Sequence, residues 1–166
     1  MSAARRKKAA ARGRRTVSRT PRAGRKGSAR AVTTPVALMQ EAVTARGKSH
    51  SPYSRFAVGA ALITASGRIY HGCNVENASF GLTCCAERTA VFKAVSEGER
   101  DFFAIAVTAR AGHGAPPCGA CRQVMAEFSP DLWVYWRDMR GALLKKRLRA
   151  LLPDQFELDT RGGKRR

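Results

Sequence analysis

Cys85-Ala86-Glu87-Arg88-Thr89-Ala90 at one end and Pro117-Cys118-Gly119-Ala120-Cys121-Arg122-Gln123-Val124 at the other bound the stretch that decides the fold. After Cys85, the residues Ala86, Ala90, Val91, Ala94 and Val95 keep helical spacing until Gly98 ends the run. Ala104 to Ala109 reads as a strand, a Gly and Pro loop runs on to Pro117, and Cys121, Val124, Met125 and Phe128 mark a second helix from Cys118. Each cysteine motif therefore opens a helix, with a single strand between them. That order explains how thiols at positions 85 and 118 can meet, because a helix, a strand and a return loop bring the second helix start beside the first.

Working outward on the N-terminal side, Leu38, Ala42 and Ala45 form one stripe of a short helix that Gly47 can close. Phe56 to Ile63 is an apolar run of strand length, a turn follows at Ala65-Ser66-Gly67-Arg68, and Ile69 to Val75 completes a hairpin. On the C-terminal side Leu132 to Trp136 and Ala142 to Lys145 read as strands, and Leu148 to Leu152 as a helical turn stopped by Pro153. A hairpin followed by strands alternating with helices predicts an α/β fold, a three-layer α/β/α arrangement around a mixed five-stranded sheet.

Charge divides the chain. Residues 1–40 hold twelve Lys or Arg and no acid, out of a net charge of +19, whereas residues 41–160 carry only +3. We expect a disordered basic tail over 1–33, because Arg, Lys, Ala, Gly, Ser and Thr there bury too little surface to offset ordering entropy. A domain over 34–160 and a second basic tail over 161–166 complete the expected organisation. An inert tail, weak attraction to nucleic acid or an anionic surface, and an organelle transit peptide all fit the tail's composition. No apolar segment is long enough for a membrane span, and five cysteines suit a reducing cytoplasm in which thiols stay free for metal.

Cys85, Cys118 and Cys121 are three soft ligands, and a two-residue gap lets Cys118 and Cys121 face one ion across a tight turn. Helix starts favour the thiolate form. Three protein ligands leave one coordination position for water, the arrangement of a catalytic zinc site; a structural zinc with Cys73 or Cys84 as fourth ligand is the competing reading. Glu87 is the wrong donor type for a soft three-thiolate site, so it is assigned as the proton shuttle, against the plainer reading of a carboxylate in a helix first turn. Three thiolates make the site electron-rich. Arg88 is expected to hydrogen-bond the sulfurs and temper their donation.

The two motifs resemble those of the cytidine deaminases, specifically the small homotetrameric type with three cysteine ligands. The resemblance spans about residues 35–158 and takes in Ser51-Pro52-Tyr53-Ser54, Phe56-Ala57-Val58-Gly59-Ala60-Ala61, Gly72-Cys73-Asn74-Val75-Glu76-Asn77 and Leu151-Leu152-Pro153. It implies one Zn2+ per subunit, a nucleoside substrate and a homotetramer with shared active sites. Asn74 and Glu76, two apart on a predicted strand, leave one face together, and the resemblance implies that they hold the ribose 3′-OH. Phe56 and Val58 likewise share a predicted strand face; by resemblance they pack on the pyrimidine, and Ala86 joins the substrate-binding set. By the same resemblance Phe156 stacks on the base bound in a neighbouring subunit. The chain departs from the family where Phe80-Gly81 replaces a common Tyr-Pro and Pro116 a common Ser, changes that bear on substrate affinity.

The expected activity is zinc-dependent hydrolytic deamination of cytidine and 2′-deoxycytidine in pyrimidine salvage. Deamination of a cytosine nucleoside antibiotic of the blasticidin type is an alternative within the same chemistry. A non-catalytic, zinc-stapled nucleic-acid-binding module is the alternative outside it.

Overall fold

The computed structural model of the chain describes residues 34–110 and 114–158. The expected tails, 1–33 and 161–166, lie outside the described residues. Thr34 caps the first helix, α1 (Pro35–Arg46), its hydroxyl accepting from the Ala37 N–H, with Pro35 in the first turn where its missing N–H costs nothing. β1 (Gly59–Thr64) and β2 (Ile69–Cys73) form the expected hairpin. α2 (Ala86–Ser96), β3 (Phe102–Thr108), α3 (Gly119–Ala126), β4 (Trp133–Arg137) and β5 (Leu143–Arg147) follow, with 3-10 turns at Phe80–Leu82 and Leu148–Ala150.

The five strands stand in the order β2-β1-β3-β4-β5, antiparallel except for the parallel β3–β4 pair. Because β2 and β3 both run antiparallel to β1, they run parallel to each other, and β4 shares their direction. α2 connects β2 to β3 and α3 connects β3 to β4, so both helices start at the same edge of the sheet, beyond the strands' carboxyl ends. That is where open α/β sheets hold their ligands.

Both faces are covered, as expected. On one face Ala86, Ala90, Val91 and Ala94 of α2, with Cys121 and Met125 of α3, pack against Leu62, Ile105, Val107 and Val134. On the other, Leu38, Met39 and Ala42 of α1 meet Ala61, Ile63, Ala104 and Tyr135. Every residue of β1 is buried, the pattern of a central strand covered on both sides. β5, at the edge, exposes Lys145 and Lys146, charges that discourage pairing with another edge.

Gly72 sets the distance between α2 and the sheet. A β-carbon there would stand 2.2 Å from the Ala86 carbonyl oxygen and 2.5 Å from the Ala90 nitrogen, so the helix backbone lies on the strand where no side chain intervenes.

Three sequence expectations need correction. The first strand begins at Gly59 and not at Phe56, so Phe56 and Val58 precede it. β2 ends at Cys73, so Asn74 and Glu76 lie past it, and Val75 makes only isolated bridges with His50 and Cys84. The cause is Asn74, whose side chain takes the Val58 N–H and donates to the Phe56 carbonyl, replacing ladder hydrogen bonds with side-chain ones. Finally, β5 runs Leu143–Arg147, and the helical turn after it is a 3-10 turn ending at Ala150.

Candidate active site

Cys85 is the N-cap of α2 and Cys118 the N-cap of α3, and neither side chain caps its own helix. The thiols face each other instead, with Cys85 Sγ 4.0 Å from Cys118 Sγ. Cys121, fully buried one turn into α3, completes a trio whose sulfurs all lie within 4.8 Å of one another. Cys73 and Cys84 stand outside this group among the described residues; Cys73 donates to the Lys48 carbonyl and Cys84 accepts from Thr89 Oγ1.

Charge on the trio is uneven. Hydrogen bonding from the Cys121 thiol, then from Arg88, holds Cys85 at about 5, well below the usual thiol value. The same donation to Cys85, reinforced by burial, pushes the Cys121 thiol up. Three sulfurs at this spacing fit Zn2+ with three protein ligands, the cation replacing the thiol protons when it binds. Arg88 donates to the Thr83 carbonyl at 2.8 Å and to Cys85 Sγ at 3.6 Å, so one of the expected hydrogen bonds to the sulfurs is made. Its Nε is buried with no partner among the described residues.

Glu87 follows in the first turn of α2 and is 4% exposed. Burial raises its carboxyl above the ordinary value, as does the negative charge on nearby Cys85, so it holds a proton more firmly than a surface carboxylate does.

These groups open onto a cavity of about 440 Å³ lined by Cys85, Ala86, Glu87 and Cys118, and also by Phe56, Val58, Asn74 and Glu76. All the sequence-assigned substrate residues except Phe156 therefore meet in one place, although Phe56 and Val58 reach it from a loop. Phe156 does not line this cavity and is 70% exposed. Pro116 lines the cavity; Phe80 lies in the 3-10 turn with its ring 5.6 Å from that of Tyr53, at 68°.

The Asn74 and Glu76 side of the cavity is held by hydrogen bonds that the sequence did not announce. Asn74 Oδ1 accepts from Ser49 Oγ at 2.5 Å and from the Val58 N–H at 2.8 Å, while Nδ2 donates to the Phe56 carbonyl at 2.9 Å. Glu76 accepts from the Tyr53 and Ser54 N–H groups at 2.9 and 3.2 Å and from the Ser54 hydroxyl. Ser54 also lines the cavity. Ser49 and Ser54 were thus missed as supporting residues; the Ser51-Pro52-Tyr53-Ser54 block marked the segment but gave neither serine a partner. Among the described lining residues there is no Lys, Arg or His.

A family model for the cytidine and deoxycytidylate deaminase zinc-binding region matches residues 33–137. A curated cytidine deaminase from Halalkalibacterium halodurans is 54% identical over 120 residues, which cover 72% of this chain and 91% of the relative. One from Sporosarcina psychrophila is 49% identical over 120 residues, covering 72% and 88%. Among solved structures, the crystal structure of cytidine deaminase from Burkholderia pseudomallei is 51% identical and superposes with a TM-score of 0.69 over 73% of this chain and 98% of that one.

Proposed function

The chain belongs to the zinc-binding cytidine and deoxycytidylate deaminase family, and from that premise we propose that it hydrolyses cytidine and 2′-deoxycytidine to uridine and 2′-deoxyuridine, releasing ammonia. The observation that carries this reading is convergence: a three-thiol group and a buried carboxylate open onto the same cavity as Asn74 and Glu76.

Cys85, Cys118 and Cys121 would hold one Zn2+ per subunit, which when bound supplies Lewis-acid activation of water beside the pyrimidine. In the general mechanism of zinc deaminases a glutamate that is not a ligand moves the protons, and Glu87 takes that role here. Water adds to the amine-bearing ring carbon, and Glu87 carries one of its protons to the adjacent ring nitrogen. Glu87 then carries the second proton to the amino group, the C–N bond breaks, ammonia leaves, and the ring keeps a carbonyl. Its raised affinity for protons suits both deliveries. Arg88 draws electron density from Cys85 and offsets the negative charge of three thiolates.

Phe56 and Val58 offer apolar contact to the base, with Ala86 beside it. Glu76 accepts from a sugar hydroxyl, and Asn74, whose oxygen already has two donors, offers its remaining amide hydrogen. A carboxylate in a cavity with no described cationic lining repels a phosphate, so the substrate is a nucleoside and not a nucleotide. Phe156, which does not line its own cavity, serves the cavity of a neighbouring copy within a homotetramer. The reaction fits cytoplasmic pyrimidine salvage, and the basic segment 1–33 gives weak contact with nucleic acid or another anionic surface without entering the chemistry.

The test is the loss of cytidine absorbance with purified protein, alongside cytidine monophosphate and a blasticidin-type antibiotic. Turnover of cytidine that a chelator abolishes and zinc restores is expected. Salt-sensitive nucleic-acid binding without ammonia release would overturn the assignment.

A further inference from the structure

Cys118 is the N-cap of α3 and Cys121 lies in its first turn, so the helix's placement is tied to two of the three sulfurs. The next two residues reach in another direction. Arg122 donates through Nε to the Pro117 carbonyl at 2.7 Å and through a terminal nitrogen to the Leu151 carbonyl at 2.8 Å. Gln123 Nε2 donates to the Phe156 carbonyl at 2.8 Å, and Gln123 Oε1 accepts the Phe156 N–H at 3.1 Å. One side chain thus satisfies both backbone groups of a residue far along the chain. A side-chain amide, with donor and acceptor side by side, is suited to this pairing.

What this mount holds out is Phe156, a residue 70% exposed. An exposed aromatic gains little for the folding of its own chain, because its stabilising value lies in the area it buries. A backbone fixed at both polar groups, by contrast, lowers the ordering cost when a second molecule covers the ring.

We propose that Gln123 is a positioning residue that presents Phe156 to the cavity of a second copy of this chain and couples that presentation to the helix bearing Cys118 and Cys121. The inference rests on the reading that Phe156 enters a neighbouring cavity. It adds the side chain that aims the ring and the path by which a disturbance of α3 in one subunit alters substrate affinity in the next.

The experiment compares KM, kcat and zinc content for Gln123→Met, Gln123→Glu, Phe156→Ala and the Gln123→Met/Phe156→Ala pair. Met keeps the length and loses both hydrogen bonds, so KM should rise about tenfold, the scale of two ordinary hydrogen bonds, with kcat and zinc per subunit unchanged. Gln123→Glu keeps only the acceptor and should fall between Met and the parent. The double variant should be no worse than Phe156→Ala alone. Oligomers mixed from Gln123→Met and Glu87→Gln subunits should regain the parental KM at a fraction of sites, because the silent subunits still present a mounted Phe156.

A parental KM in Gln123→Met beside an impaired Phe156→Ala would overturn the role of Gln123 and leave that of Phe156 standing. A parental KM in Phe156→Ala would overturn both. A Gln123→Met defect that mixing does not relieve would place the effect within the variant's own subunit and end the proposal.

Discussion

The thiol side of the cavity and the Asn74 and Glu76 side are built from different materials. Two helix starts, held by the packing of α2 and α3 on the sheet, supply the sulfurs, Glu87 and Arg88. Beyond the end of β2 only isolated bridges and single backbone hydrogen bonds continue, and the loop carrying Ser54, Phe56 and Val58 is held in large part by hydrogen bonds to the side chains of Asn74 and Glu76. The first arrangement is set by backbone packing and resists small changes until a clash is introduced. The second depends on individual polar atoms, each of which can be removed singly. Chemistry should therefore be lost on one side and affinity on the other.

The sharpest way to break that contrast is Glu87→Gln. Removing a proton carrier should lower kcat by about 10³-fold, within the span of general acid–base catalysis, while zinc content and KM change little. A variant with parental turnover would show that the buried carboxylate is only structural. Gly72→Val tests the packing. Its side chain would meet the Ala86 carbonyl 2.2 Å from the β-carbon and force α2 off the sheet. Overpacking of this kind costs about 1–3 kcal/mol, and thermal melting with zinc analysis should show lower stability together with weaker metal retention. Parental melting with full zinc content would separate the metal site from helix placement.

Asn74→Ala probes the other side. It strands the Val58 N–H and the Phe56 carbonyl, so we expect a loss of about 2 kcal/mol in denaturant unfolding and a raised KM, with zinc content intact. Zinc loss in this variant would break the division between the two sides.

The smallest expected effect concerns pH. The Ser54 hydroxyl hydrogen bond, helped by backbone N–H groups, holds Glu76 below the ordinary carboxylate value of 4.5. A depressed folded-state value means that its contribution is complete above the unfolded value and fades only as pH falls through the lower one. Cytidine KM should therefore stay level as pH drops from about 7 to about 5, and Ser54→Ala should move the onset of weakening upward.

The metal ligands were legible because their signal is local. Cys118 and Cys121 are spaced for one ion by a single tight turn, and the apolar pattern after Cys85 and Cys118 marks helix starts without knowledge of the rest of the fold. The reasoning for Asn74 and Glu76 reached residues that do line the cavity, but from strand alternation that does not hold, since β2 stops at Cys73. Phe56 was read into a strand that begins three residues later, because an apolar run carries no mark of where ladder bonding yields to a side-chain amide. Gln123 sat in a quoted motif and was given no role, since its partner Phe156 is brought to it only by the return of the chain through β4, β5 and the last turn.

Residue type and short spacing by themselves determined the thiol donors and the helix starts that carry them, because a two-residue gap between cysteines and an apolar helical stripe each depend on atoms a few residues apart. The tertiary structure decided which side chain pins the 49–58 loop, where β1 begins, and which helix holds Phe156 out. Those outcomes depend on hydrogen bonds between segments far apart in the chain, and only the strand order and the packing of α2 and α3 bring such partners within reach.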